Sequence, residues 1–227
     1  MKKVFRLLAV MTVAVLALFA FAACEHRLDS SSKAEAASAA ESKSAESIAD
    51  AALDKSQSFV IALYPEYAPI TCENFEKLVS EGFYDGLYFH RIYKGFMAQG
   101  GDGSVAGRAA ESIKGEFSQN GVKNDLSHTR GVVSMARTQV MDSASSQFFI
   151  VYDDSAKASL DGRYAGFGKV TEGMEVVDSF LNIPMTMGND KIPTLPTEPI
   201  QILKAVIDGK DADGHTLCRF YMQVGSK

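Results

Sequence analysis

The stretch Phe89-His90-Arg91-Ile92-Tyr93-Lys94-Gly95-Phe96-Met97-Ala98-Gln99-Gly100-Gly101-Asp102 constrains the fold of this 227-residue chain more than any other. It holds two short β-type runs around a Lys94-Gly95 turn, the first aromatic and β-branched, the second ending in a glycine pair. A hairpin that pivots near Gly95 sets Arg91 across from Gln99 and Tyr93 across from Met97, as neighbours about 5 Å apart. Side chains alternate between faces with a period of two, so Met97 and Gln99 share a face. That face carries a guanidinium, an amide, a thioether and an aromatic ring. A cation among apolar groups suits a polar bond inside an apolar substrate; it suits a nucleophile or a metal poorly.

The beginning of the chain does not belong to the same globule. Lys2, Lys3 and Arg6 precede an apolar run of 14 residues at 7–20, too short for a comfortable membrane span. Phe21-Ala22-Ala23 then leads directly into Cys24. This pattern resembles a bacterial lipoprotein signal, which implies removal of residues 1–23 and lipidation of Cys24; an uncleaved anchor or an ordinary secretory signal is the alternative. Residues 24–56 are rich in Ser, Ala and Glu, with almost no aliphatic stripe to bury, and are expected to form a solvated tether. Without the leader the chain carries 20 basic and 28 acidic residues, a net charge of −8. An acidic globule lacks the basic face that nucleic-acid binding demands, and it has no polybasic grip on anionic lipid. Membrane contact is therefore expected through the lipid alone.

The folded domain is expected at 57–208, with a polar tail at 209–227. Phe59 to Leu63 reads as a strand. After Pro69, Thr71 is a plausible N-cap for a helix with Phe75, Leu78 and Val79 on one face and Gly82 as its stop. Residues 101–121 are glycine-rich and polar and read as a long loop; no Gly-Lys-Ser/Thr follows, so a phosphate cradle is weakly supported. Strands are expected at 131–137, 146–151 and 165–170, with Gln147 and Phe149 on one face and Phe148 and Ile150 on the other. A second helix at 172–181 presents Met174, Val177 and Leu181; residues 184–199, with four prolines, read as loop, and 200–207 as a closing strand. Many short strands with two well-separated helices disfavour a doubly wound parallel sheet. They fit a mainly β fold, a closed eight-stranded antiparallel β-barrel capped by two α-helices, which about 150 residues can support around one core.

Other chemistries find little support. Cys72 and Cys218 lack CxxC spacing, and their pairing is left open. His90 and His128 have no Cys/Asp/Glu cluster at ligand spacing, so no metal and no other cofactor is expected, and each reads better as a hydrogen-bonded structural histidine. Ser143, Ser145 and Ser146 lack the GxSxG elbow of a hydrolase. Arg91 alone would most simply be a surface cation in a salt bridge.

Six segments change that weighting. Phe89-His90-Arg91, Gly95-Phe96-Met97, Gln99-Gly100-Gly101-Asp102, Ser134-Met135-Ala136, Ser146-Gln147-Phe148-Phe149-Ile150, and Leu160-Asp161-Gly162 with Phe167-Gly168-Lys169-Val170 resemble, in order and in spacing, the motifs of the cyclophilin-type peptidyl-prolyl cis-trans isomerases. Ala68-Pro69-Ile70-Thr71 with Asn74-Phe75 is similar to that family's first helix. The resemblance implies the eight-stranded barrel, with a groove on its outer face. It implies that Arg91 is the catalytic arginine, that Gln99 orients it, and that Phe96, Met97, Phe149 and Leu160 hold the substrate proline. Ala136, Arg137, Gln147, His90 and Tyr164 match peptide-binding positions. The chain departs from common family residues at Ser159, where many members carry a tryptophan that contacts cyclosporin, and at Lys94, Arg137 and Tyr164.

The implied chemistry agrees with the residues. An X–Pro bond isomerises in roughly 10–100 s because a barrier near 20 kcal/mol protects amide conjugation. In the twisted transition state the prolyl nitrogen regains its lone pair, and a guanidinium bonded to it stabilises that state over the planar one. Proline-containing polypeptides are the expected partners of a monomer, in extracytoplasmic protein folding. A non-catalytic module that binds proline peptides is the main alternative; a solute-capturing lipoprotein fits poorly because one barrel lacks two lobes.

Overall fold

The computed structural model describes residues 53–188 and 191–226, so the leader, Cys24 and all but the end of the expected tether lie outside the described residues. The first strand, β1 (Ser58–Leu63), is buried along its whole length. Continuous burial is what a central strand requires, because both of its faces meet other parts of the protein. A 3-10 turn at Lys55–Gln57 leads into it, with the Asp54 carboxylate accepting from the Ser56 N–H at 2.8 Å. Folded structure thus starts just inside the segment expected as tether.

The helix α1 (Pro69–Ser80) follows, buries Phe75, Leu78 and Val79, and hands over to Gly82 in a left-handed conformation. Thr71 is not its N-cap. Pro69 occupies the first helical turn and Ala68 the cap, so Thr71 lies inside the helix. The cap comes instead from a distant loop: the Glu116 carboxylate accepts from the Ile70 N–H (3.1 Å), the Thr71 N–H (2.8 Å) and the Thr71 hydroxyl (2.7 Å). Glu116 is itself buried, and the helix N-terminus compensates its charge.

The remaining elements are β2 (Phe89–Tyr93), β3 (Met97–Gly100), β4 (Val132–Met135), β5 (Phe148–Val151), α2 (Lys157–Leu160), β6 (Gly166–Glu172), α3 (Met174–Ser179), β7 (Met185–Met187), β8 (Pro193–Pro196), β9 (Ile200–Lys210) and β10 (Thr216–Val224). Eight strands form one antiparallel sheet in the order β2-β3-β5-β4-β6-β1-β10-β9. The sheet curls until Tyr88, ahead of β2, bridges Gln201 of β9. There the Gly86 N–H donates to the Ile202 carbonyl and the Ile202 N–H to that of Leu87, at 2.7 and 2.8 Å. The expected eight-stranded antiparallel architecture is present, and its edges meet at this bridge rather than along a full ladder. Residues 101–121 hold two short 3-10 turns and a single bridge from Ile113 to Ala144, as expected of a loop.

Three other expectations are corrected. Residues 184–199 are not simply loop, because β7 and β8 form a two-stranded ribbon with Met185 opposite Pro196. Pro193 and Pro196 are tolerated because a ribbon has free edges. The second helix is shorter than 172–181: α3 ends at Ser179, a 3-10 turn continues it, and Val176, Val177 and Phe180 are the buried positions. Gly173, with φ of 74°, caps it so close to β1 that a Cβ would lie 2.1 Å from the Ser58 carbonyl oxygen. The third correction is the largest. Residues 209–226 are not a tail: β9 runs on to Lys210, and β10 pairs with both β1 and β9, lying between them inside the sheet.

Apolar side chains segregate into two clusters. The larger fills the curl, where Phe75 packs on Tyr84, Phe148 and Phe167 at centroid distances of 5.2, 5.3 and 4.9 Å. Cys72 and Cys218 are buried there and unpaired; burial pushes the Cys72 thiol up to about 12, and its Sγ–H donates to the Phe167 carbonyl. The smaller cluster lies on the opposite face of β3 and β5, and consists of Met97, Phe149, Val151, Ala156 and Leu160, with Tyr93, Phe96, Ala136 and Tyr164 at its edge. Period-two alternation along β5 separates them: Phe148 and Ile150 point to the first, Phe149 and Val151 to the second.

Candidate active site

The β2–β3 hairpin forms one wall of the candidate site. Arg91 pairs with Gln99 and Tyr93 with Met97, the register expected from the sequence. The turn pivots at Gly95, whose φ of 77° is readily adopted only by glycine. Across β3, Gln99 faces Phe149 and Met97 faces Val151. These pairings bring four chain segments around a pocket of about 200 Å³. Arg91, Phe96, Met97 and Gln99 come from the hairpin, Phe149 from β5, Leu160 from the end of α2, and Ala136, Arg137 and Tyr164 from the turns after β4 and α2. Met97, Phe149 and Leu160 are all but buried, so the floor is apolar. Phe149 meets Tyr164 edge to face at 5.8 Å, and Tyr93 meets Phe96 in the same way at 5.6 Å.

The polar groups sit at the rim. The Gln99 amide donates through Nε2 to Oε1 of Gln147 at 2.9 Å, which leaves its oxygen as the end able to accept from a guanidinium. The Arg91 Cζ lies 5.9 Å from the Tyr93 ring centre. The Ala136 N–H donates to the Gln147 carbonyl oxygen at 2.9 Å and holds the two strand ends together. Gln147 is therefore joined to the site through Gln99 and Ala136 without lining the pocket itself.

His90 is not brought to the pocket. It alternates with Arg91 on β2, next to the irregularity between Phe89 and Arg91, and faces away. Its Nδ1 is buried with no hydrogen-bond partner among the described residues. Burial lowers its pKa against the opposing pull of Asp102.

His128 is the hydrogen-bonded structural histidine the sequence suggested, but its place behind Phe149 was missed. His128 is 1% exposed; its Nδ1 is 2.8 Å from Oδ1 of Asp161 and its Nε2 is 2.9 Å from the Ser134 hydroxyl. Burial lowers the His128 pKa and outweighs the Asp161 charge. Asp161 is held low despite burial, because the His128 backbone N–H, the Ser127 hydroxyl and the His128 ring all donate to it. A neutral ring facing a carboxylate that only accepts carries its proton on Nδ1, so Nε2 accepts from Ser134. The order Ser-His-Asp matches that of a hydrolase triad. Yet Ser134 is 0% exposed, opposite Phe149 in the sheet, and no substrate reaches its Oγ. The His128 ring stacks 6.3 Å from Phe149, so the network braces the pocket floor. Asp161 lies within a motif already singled out, which was the available signal.

A larger cleft, of about 500 Å³, opens between α1 and the β9–β10 turn. Leu63, Pro65, Pro69 and Cys72 lie in it, but Glu73, Glu76, Lys77 and Lys210 on its walls are a mixture of solvated charges with no aromatic ring among them. The smaller pocket, where apolar walls and aimed polar groups converge, is the better site.

Residues 49–207 match the family model described as cyclophilin type peptidyl-prolyl cis-trans isomerase/CLD. A peptidyl-prolyl cis-trans isomerase of Schizosaccharomyces pombe is 40% identical over 148 residues, covering 65% of this chain and 90% of that protein. One from the bacterium Acinetobacter baylyi is 42% identical over 154 residues, covering 65% of this chain and 78% of the other. Among solved structures, a cyclophilin-type isomerase of Cryptosporidium parvum superposes with a TM-score of 0.54 at 25% identity, covering 74% of this chain and 92% of that one. The same protein, solved in the presence of the dipeptide Ala-Pro, gives 0.52 at 26% identity, over 74% of this chain and 93% of that one. The chain belongs to the cyclophilin-type peptidyl-prolyl cis-trans isomerases, and it is an enzyme of that kind.

Proposed function

We propose that the chain rotates X–Pro bonds by seating the proline ring on Phe96, Met97, Phe149 and Leu160 while Arg91 donates a hydrogen bond to the prolyl nitrogen. The observation that carries this reading is one pocket joining a dry aromatic floor to Arg91, with Gln99 directly across the hairpin. As the amide twists, its nitrogen becomes pyramidal and basic, and Arg91 bonds it more strongly than in the planar ground state. Bringing a step of tens of seconds to milliseconds needs about 10⁴–10⁵-fold, or roughly 6–7 kcal/mol. A preorganised cation contributes about 3–4 kcal/mol of this, and the pocket's positioning the rest. No proton transfer or covalent intermediate is required.

Kinetics on an Ala-Pro peptide separate the roles. Arg91→Ala is expected to lower kcat by about 10²–10³-fold with little change in KM, which is the loss of an interaction made in the transition state. Phe149→Leu is expected to raise KM about fivefold, roughly 1 kcal/mol of lost contact. An Arg91 effect confined to KM would reverse the assignment.

We also infer that the enzyme works outside the cytoplasm, held to the membrane by lipid on Cys24. The basic start, short apolar run and small residues before Cys24 support this. Among the described residues, no helix is long and apolar enough to cross a membrane. A Cys24→Ser variant should move from the membrane to the soluble fraction; equal membrane retention would count against lipidation.

A further inference from the structure

Arg137 reaches the pocket in an unusual state for an arginine. Its guanidinium lies against two rings, with Cζ 4.9 Å from the centre of Phe117 and 4.7 Å from that of Tyr164. In the guanidinium plane, Nε and Nη2 donate to the Arg163 carbonyl oxygen at 3.1 and 2.8 Å, and Nη1 to that of Thr138 at 2.9 Å. Three of five N–H groups are thereby committed. One N–H remains on each of the two terminal nitrogens, the number a carboxylate accepts when bound by two oxygens.

Among the described residues, no acidic side chain lines the pocket beside it. Arg91 and Arg137 both line the pocket, although the chain as a whole has a net charge of −5. The carboxylates on neighbouring loops are engaged elsewhere. Asp161 accepts from Ser127 and His128, and Asp142 accepts from the Gly115 N–H and the Asn120 amide. The site is thus a cationic spot on an acidic protein. Arg91 is addressed to the prolyl nitrogen, whereas Arg137 has no part in bond rotation.

We infer that Arg137 is a specificity residue, selecting substrates that carry an aspartate or glutamate beside the X–Pro pair. The inference rests on the isomerase reading of this pocket. An ordinary surface ion pair gains little, since both long side chains must be immobilised and water screens them. Here the two rings and two carbonyl oxygens already hold the guanidinium still. A carboxylate arriving on the peptide loses only its own freedom. The field of Arg91 in the same pocket adds to the attraction and repels a lysine.

The simpler role for Arg137 is a strut joining the 137–138 and 163–164 turns. A strut would affect all peptides alike, so the test reads a ratio. Peptides of one Ala-Pro framework, with Glu, Gln or Lys placed on either side of the X–Pro pair, are compared for kcat/KM and for Kd with the full-length protein. Glu is expected to exceed Lys by about tenfold at one of these positions, shrinking to about threefold in roughly 0.5 M salt. In Arg137→Gln the ratio should fall most of the way to one, leaving only the share of Arg91, whatever the absolute rate, and Arg137→Lys should retain more of it. A ratio near one in the unmodified protein, or a preference that Arg137→Gln leaves intact, overturns the inference. If no proline peptide turns over, the isomerase reading fails separately, and the ratio of Kd values still decides the role of Arg137.

Discussion

His215 and His128 both face carboxylates, yet their protonation runs in opposite directions. His128 is enclosed, and burial holds its pKa down. His215 is more open; burial is the largest single influence and lowers its pKa, but the hydrogen bond and charge of Asp211 and the charges of Glu66 and Asp213 together outweigh it and raise it. A histidine with a raised folded pKa adds stability that is complete below its unfolded value near 6.5 and is lost as pH rises through the folded value. For His128 and His90, with lowered values, the contribution is present above 6.5 and lost as pH falls. His215→Gln should therefore lower the melting temperature most below about pH 6 and little above about pH 8. A melting difference independent of pH would remove the ion pairs from the account. At this scale much of the site was legible. Arg91, Gln99 and Met97 follow from alternation within fourteen consecutive residues, and Phe149 from alternation in its own strand. His90 went wrong because matching a motif overrode that same alternation. Phe117 was not legible, since only the folded loop carries it to Arg137.

At the scale of elements, β10 matters most. It lies beyond residue 207, where the family match ends, yet it separates β1 from β9 in the sheet. Cys218, Phe220 and Met222 alternate as buried positions along it. Arg219, between them, bonds Asp208 through Nε (2.6 Å), Glu172 through Nη2 (3.0 Å) and the Ser58 hydroxyl through Nη1 (3.1 Å), tying four strands together. Burying three such side chains contributes on the order of 6 kcal/mol, comparable with the whole stability of a domain. A chain ending at Asp208 should lose the cooperative unfolding transition seen by circular dichroism; a transition of unchanged midpoint would make β10 dispensable. The alternation of β10 was present in the sequence. It was obscured by the acidic 208–213 segment before it, which reads as the end of a domain and is in fact the end of β9 and the start of a hairpin turn, in which Asp211 accepts from the Asp213 and His215 N–H groups. The N-cap of α1 was illegible for a different reason, because Glu116 stands 45 residues further along the chain than Thr71.

The whole molecule joins a net acidic chain, a curled antiparallel sheet and a cationic pocket on the sheet's outer face. The fold class followed from strand count and the lack of strand–helix alternation, while the meeting of the edges at Tyr88 and Gln201 depends on long-range pairing that no local pattern encodes. The central claim is that this fold accelerates rotation about X–Pro bonds through Arg91. It is tested most directly by the refolding rate of a protein limited by proline isomerisation, measured with the full-length chain and with Arg91→Ala. The unmodified chain is predicted to accelerate the slow phase, and Arg91→Ala to be about 10²–10³-fold less effective while still binding a proline peptide. Equal acceleration by both would contradict the role of Arg91, and acceleration by neither, with peptide binding intact, would leave a proline-binding module in place of an enzyme.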